Sequence, residues 1–338
     1  GLSALNSQLR YISHYPDATN DDVLNAIADI YGMNKNQIVV GNGAAELLYA
    51  ICRLPGYTGA FVPAPGFSEY KAALEASRIP VRDIYYRPRE DEHGKPYFEV
   101  PYLALETFAA ELKGQDGRII VFLGNPNNPD GTLLDKNHIR TIASMLKDAN
   151  SLLVIDESFI DFVGNDTLQD NEYSMRSLVN EFDNIIVVHS FTKFYAVPGL
   201  RIGAAFSNPL IIEQLNSFIP TWSVNTLAQS YTEAALNDVE YVKRTKQVLH
   251  EEQLFMYNSL DTIDGITVYP PSANFMLFHI EQEGITAESI NEALKKYNMI
   301  VRNCDSYMGL NNQWVRVAIK DHDTNVKLVE KLTDILKV

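Results

Sequence analysis

The chain has 338 residues, long enough to bury a large core and to divide into two domains. Its 28 basic residues are outnumbered by 43 acidic ones, and no basic patch offsets the resulting net charge of -15, which argues against nucleic acid or an anionic membrane as partner. The longest apolar runs, such as 119–123, fall far short of the ~20 residues of a membrane span.

The two cysteines, Cys52 and Cys304, support neither a disulfide framework nor a metal cluster. Cys304 reads more readily as a small buried hydrophobe than as a reactive thiol. The N-terminus has no basic n-region or apolar h-region, so a cytoplasmic location is expected.

The first predicted helix, Asp21–Tyr31, carries an apolar stripe at Val23, Ile27 and Ile30, with Asn20 or Asp21 as its cap. A strand at Gln37–Val40 leads through Gly41-Asn42-Gly43 into a helix at Ala44–Arg53. Strand Ala60–Pro63, helix Phe67–Ala76, strand Arg82–Tyr85 and helix Leu103–Leu112 follow, then strand Ile119–Leu123 and helix Lys136–Lys147. Further strands are predicted at Leu152–Ile155, Ile185–His189 and Arg201–Phe206. This alternation is the signature of βαβ units, and predicts an α/β fold with a mostly parallel, seven-stranded sheet between helices.

After Trp222 the pattern changes. A long polar helical stretch runs from about Thr226 to Leu260, with strands at Ile266–Tyr269, Asn274–His279 and Trp314–Ile319 and helices at Ala287–Lys296 and His322–Lys337. The expectation is a large domain over 22–228 and a smaller α+β domain formed by 1–21 and 229–338.

Three motifs stand just past strand ends, where open α/β sheets bind ligands. In the first, Asn42, Gly43 and Ala44 open a helix whose backbone N–H groups and dipole suit a phosphate. Alone, the segment reads more readily as a tight turn. In the second, the apolar run Leu153-Val154-Ile155 delivers Asp156, a carboxylate that needs a cationic partner such as a protonated pyridinium. A helix cap or a metal ligand is the other reading, although no G-x-x-x-x-G-K-[ST] loop is present.

The third is Ser190-Phe191-Thr192-Lys193 with Gly199-Leu200-Arg201-Ile202-Gly203. A lysine is ordinarily a solvated cation, but this one follows the apolar strand 185–188, where desolvation lowers its pKa towards the free amine that a Schiff base requires. Ser190 and Arg201 supply a phosphate clamp, and the glycines allow a close turn around it.

In this order the motifs resemble the fold-type-I, pyridoxal 5′-phosphate (PLP) dependent enzymes of the aminotransferase class I/II superfamily, over nearly the whole chain. The resemblance implies that Lys193 holds PLP as a Schiff base and that Asp156 pairs with its ring nitrogen. It further implies that Phe67 stacks on the ring, that Asn128 of Gly124-Asn125-Pro126-Asn127-Asn128-Pro129 binds O3′, and that Asn42, Gly43, Ala44, Ser190 and Arg201 hold the phosphate. Tyr15, in His14-Tyr15-Pro16-Asp17, would reach the phosphate of a neighbouring subunit, which implies a homodimer.

Within the superfamily the chain is most similar to threonine-phosphate decarboxylases of cobalamin biosynthesis, and next to histidinol-phosphate aminotransferases. The segments 192–201, 220–225, 301–304 and 315–319 carry the first likeness. It places Arg302 and Arg316, with Asn128, on the phosphate and carboxylate of a small phosphorylated amino acid, O-phospho-L-threonine or O-phospho-L-serine. Typical aminotransferases have a tyrosine three residues after the aspartate; here Phe159 stands there, which suits decarboxylation, although it equally reads as a packing residue. The decarboxylases carry an N-terminal segment that helps bind the substrate phosphate, and this sequence starts near where that segment would end. A transaminase and a non-catalytic binding protein are the competing readings, the latter without a visible helix-turn-helix module.

Overall fold

A computed structural model describes residues 2–112, 117–164, 167–169 and 171–336. Helices α1 (Leu2–Gln8) and α2 (Asp21–Tyr31) precede strand β1 (Ile38–Gly41), helix α3 (Ala44–Ile51), strand β2 (Tyr57–Ala64), helix α4 (Glu69–Ala76) and strand β3 (Val81–Tyr85). A hairpin of β4 (Arg87–Glu90) and β5 (Pro96–Glu99) leads to α5 (Tyr102–Glu111), β6 (Arg118–Gly124), α6 (Lys136–Asp148), β7 (Leu152–Asp156) and β8 (Ile185–Ser190). The one-turn helix α7 (Phe191–Phe194), strand β9 (Gly203–Phe206) and helices α8 (Pro209–Phe218), α9 (Thr226–Leu236) and α10 (Val239–Leu260) come next. The chain closes with β10 (Ile266–Val268), β11 (Phe275–Ile280), α11 (Ala287–Lys295), β12 (Arg302–Asn303), β13 (Trp314–Ala318) and α12 (His322–Leu336).

Seven strands form one sheet in the order β1-β9-β8-β7-β6-β2-β3, in which β9 alone runs against the rest. The predicted α/β class and mostly parallel sheet are therefore present. The middle strands are apolar on both faces because both faces are covered. Leu153 and Ile155 of β7 join the cluster beneath α2 and α6, whereas Leu152 and Val154 join the one beneath α3 and α4. A second, antiparallel sheet, β10-β11-β13-β12, packs its apolar face on α10, α11 and α12 through Met256, Leu294 and Leu332.

Several expectations change. The predicted helix over 226–260 is two helices, because Asp238 leaves helical geometry (ψ 75°) and its side chain accepts a hydrogen bond from the Tyr241 amide, capping α10. The stripe of α2 buries Val23, Ile27 and Tyr31 rather than Ile30, and Asn20 caps it without a side-chain bond. Arg201, expected in a strand, precedes β9 with φ +58°. The charged hairpin β4–β5, α1, α8 and β12 were not anticipated. Gly1 and Lys337, which end two expected segments, lie outside the described residues. No helix among the described residues is long and apolar enough to cross a membrane.

Asp238→Ala removes the α10 cap and should cost about 1 kcal/mol. Chemical unfolding followed by circular dichroism checks this, with a lower midpoint expected.

Candidate active site

Asp156 is the last residue of β7 and is almost wholly buried. Its carboxylate accepts hydrogen bonds from the Tyr70 hydroxyl (2.9 Å) and the Ser158 amide (2.9 Å), which compensate for lost water. Burial pushes the Tyr70 hydroxyl well above its ordinary range, and the adjacent Asp156 charge adds to this, so the hydroxyl stays protonated and donates.

The neighbouring strand β8 ends at Ser190, and the single turn of α7 then carries Lys193. Burial lowers the Lys193 pKa below the usual lysine value; Asp156 works against the shift, while Arg201 and Arg316 add to it. The Lys193 Nζ stands 4.7 Å from the centre of the Phe159 ring.

A cavity of about 700 Å³ opens in front of this lysine, lined among others by Phe67, Asn128, Phe159, Arg302 and Arg316. A narrower recess bounded by Phe67, Tyr70, Asn128 and Lys193 leads on to Asp156. Arg302 and Arg316 are direct neighbours across the β12–β13 pairing. Neither has a carboxylate partner among the described residues. Arg302 donates to the Ser306 hydroxyl (2.9 Å), and Arg316 donates to Asn128 Oδ1, which also accepts from the Tyr307 hydroxyl (3.1 Å).

Two glycines allow the remaining groups to converge. Gly43 has φ +82°, and a Cβ there would fall 2.3 Å from the Arg201 guanidinium. A Cβ on Gly203 would fall 2.7 Å from both the Ala44 amide nitrogen and the His189 carbonyl oxygen. The N-terminus of α3 can therefore press against β9, with Arg201 beside it and Ser190 at the end of the next strand. The Ser190 hydroxyl lies 2.8 Å from that of Thr192, and Arg201 donates only to the Pro198 carbonyl among the described residues.

A helix N-terminus, a hydroxyl and an unpaired guanidinium form a phosphate cradle. The recess itself holds a buried carboxylate, Asp156, of the kind that could pair with a protonated ring nitrogen. The residues present thus fit a phosphorylated aromatic cofactor of the expected kind.

Of the predicted residues, Phe67, Asn128, Lys193, Arg302 and Arg316 line the cavity and Asp156 its recess, while Gly43, Ala44, Ser190 and Arg201 gather where α3 meets β9; Tyr15 joins neither group. That side chain is 78% exposed, stacks on Trp222 at 4.5 Å, and does not line the cavity of its own chain. Tyr70 and Tyr307 were missed. Tyr70 had a signal, since it stands one helical turn after Phe67; Tyr307 meets Asn128 across 179 positions and had none. Glu46, whose carboxylate accepts from the Asn42 amide (2.6 Å) and the Ser223 hydroxyl (2.8 Å), was also missed.

The sequence model of the family described as aminotransferase class I and II matches residues 5–332. The chain is 31% identical to the threonine-phosphate decarboxylase of Salmonella typhimurium, over 98% of this chain and 86% of that protein. It is 28% identical to the histidinol-phosphate aminotransferase of Methanothermobacter thermautotrophicus, over 99% and 85%. It is also 31% identical to the adenosylcobalamin biosynthesis bifunctional protein CobDQ of Leptospira interrogans, covering 98% of this chain but only 36% of that longer protein. Its fold is similar to the solved histidinol-phosphate aminotransferase of Clostridium acetobutylicum, with a TM-score of 0.86 at 24% identity over 99% of this chain and 95% of that one.

Behind β8 lies a buried polar cluster that no motif announced. The Tyr31 hydroxyl donates to Asp161 (2.9 Å), and His189 Nε2 lies 2.9 Å from the same carboxylate oxygen. Burial alone would raise the Asp161 pKa, but His189 and the nearby Arg176 hold it below the usual carboxylate value. A carboxyl depressed in the folded state adds stability that is present above its unfolded pKa of ~3.9 and is lost as pH falls through the folded value. Asp161→Asn should accordingly lower the melting temperature at neutral pH and flatten its fall in acid. Melting curves from pH 7 to 3 check both effects.

Proposed function

The chain belongs to the aminotransferase class I and II family, whose cofactor is PLP, and on that premise we propose that it decarboxylates a small phosphorylated amino acid, with O-phospho-L-threonine the favoured substrate. The observation that carries this reading is the pair Arg302 and Arg316, adjacent in the sheet, free of carboxylate partners among the described residues, and facing one cavity in front of Lys193. Two guanidinium groups match a molecule that bears both a carboxylate and a phosphate.

In this reading Lys193 would carry the cofactor covalently, and the burial that lowers its pKa favours the free amine that such attachment needs. Asp156 would hold a proton on the ring nitrogen, with Tyr70 and the Ser158 amide keeping its carboxylate in place. Ser190, Arg201 and the backbone at Asn42, Gly43 and Ala44 would take the phosphate, Phe67 would cover the ring, and Asn128 would donate to its phenolic oxygen. When bound, the cofactor supplies an electron sink for negative charge at the substrate Cα.

Arg316 and Arg302 have the task of holding the substrate so that the bond from Cα to its carboxylate is the one that breaks. Such positioning supplies on the order of 7 kcal/mol or more in well-oriented models. In this reading carbon dioxide would leave, the bonding pair would remain on the Cα side, and Lys193 Nζ, released and protonated when the substrate amine takes its place, would return a proton there. The product is then 1-amino-2-propanol phosphate. Phe159 supports this outcome, since it presents a ring rather than a hydroxyl beneath the lysine amine.

The exposed stack of Tyr15 on Trp222 supports a homodimer in which Tyr15 completes the partner's phosphate site. The second reading is a histidinol-phosphate type aminotransferase, favoured by the near full-length match to that enzyme.

Purified protein loaded with PLP should release carbon dioxide from O-phospho-L-threonine; amino transfer to 2-oxoglutarate without carbon dioxide release overturns the decarboxylase reading. Arg302→Ala should raise KM roughly 10- to 100-fold, the worth of a charge-assisted contact of about 1.5–3 kcal/mol. Lys193→Ala should lose the visible absorbance of the lysine-bound cofactor, and an unchanged spectrum would overturn its assigned role.

A further inference from the structure

Arg316 constrains the orientation of Asn128. A guanidinium carries only donors, so the Asn128 atom that faces Arg316 must be the amide oxygen, whatever rotamer the side chain prefers. The Tyr307 hydroxyl lies 3.1 Å from that same oxygen and therefore donates its proton to it. With Oδ1 engaged twice, the Nδ2 group of this cavity-lining residue keeps both hydrogens without an acceptor among the described residues. The Tyr307 ring also lies beneath the Arg302 guanidinium, 5.5 Å from ring centre to Cζ. One half-buried tyrosine thus touches Arg302 with its face and Asn128 with its hydroxyl, and Asn128 in turn engages Arg316.

We propose that Tyr307 is a positioning residue that aims the Asn128 amide N–H at the ring oxygen of the bound cofactor, and so tunes the lysine-linked cofactor before any substrate arrives. The proposal rests on the cofactor reading given above, but not on the choice between decarboxylation and transamination. A donor held on the ring oxygen withdraws negative charge from it. That charge stabilises the protonated form of the neighbouring Lys193 nitrogen. Weakening the donor therefore moves the protonation midpoint of the cofactor upward.

The test is a pH titration of the visible absorbance of the PLP-loaded protein without substrate, in the wild type, Tyr307→Phe, Asn128→Ala and the double variant. Tyr307→Phe keeps the ring under Arg302 and removes only the hydroxyl. It should raise the midpoint by roughly half to one pH unit, the size of one hydrogen bond's net contribution. Asn128→Ala should raise it at least as far, and adding Tyr307→Phe to Asn128→Ala should shift it no further. An unshifted midpoint in Tyr307→Phe overturns the proposal while leaving the cofactor reading intact. An equal shift with and without Asn128 overturns it too, because the tyrosine would then act by another route. Absence of any visible band in the wild type overturns the cofactor reading together with this one.

Discussion

A carboxylate and an amine withdrawn from water at the ends of two adjacent strands set the terms for the rest of this molecule. β7 ends on Asp156, and β8, hydrogen-bonded beside it, runs on to Lys193. Water would solvate both charges cheaply, and burial removes that option for the carboxylate and restricts it for the half-buried amine. Hydrogen bonds from the Tyr70 hydroxyl and the Ser158 amide stand in for the water the carboxylate has lost, whereas burial lowers the pKa of the amine. The unbroken apolar runs of β6, β7 and β8 hold the two groups in register, because side chains on both faces of these strands are buried.

Once that pair is fixed, the phosphate end of the site is a problem of close approach. The α3 N-terminus can serve an anion only if backbone, not side chain, lines the contact. Gly43 and Gly203 satisfy that demand from opposite sides, the first against Arg201 and the second against Ala44 and His189. The hydrogen bond from the Asn42 amide to Glu46 then holds the turn from within. The buried Tyr31, Asp161 and His189 cluster stiffens β8 from its other face, within four residues of Lys193.

How much of this was legible followed from the range of the forces involved. Strand positions and the order of Asn42–Ala44, Asp156 and Lys193 are written locally, in apolar runs and the residues that end them. The break between α9 and α10 was also local, in Asn237-Asp238, yet it was hidden by favourable helix residues on either side. The hairpin β4–β5 escaped notice because its first strand, Arg87–Glu90, is wholly exposed and carries three charged residues around Pro88, with no apolar alternation to mark it. Tyr70 and Tyr307 matter only through contacts with Asp156 and Asn128, 86 and 179 positions distant, which no periodicity encodes.

The overall charge sharpens what the cavity selects. A protein of net charge -15 repels anions at long range, a repulsion that salt screens beyond about 8–10 Å. Attraction must then come from within the site. Arg140 illustrates the usual fate of a surface arginine, held in two hydrogen bonds to Glu181. Arg302 and Arg316 instead spend their donors on neutral oxygens of Ser306 and Asn128, so an incoming carboxylate or phosphate does not have to displace another anion. Tyr307 and Asn128 link the two guanidinium groups to each other, so a ligand that engages one arginine also bears on the contacts of the other. On the proposed reading, a substrate with a single anionic group would engage half of that arrangement, and discrimination would follow from the contacts it leaves unmade.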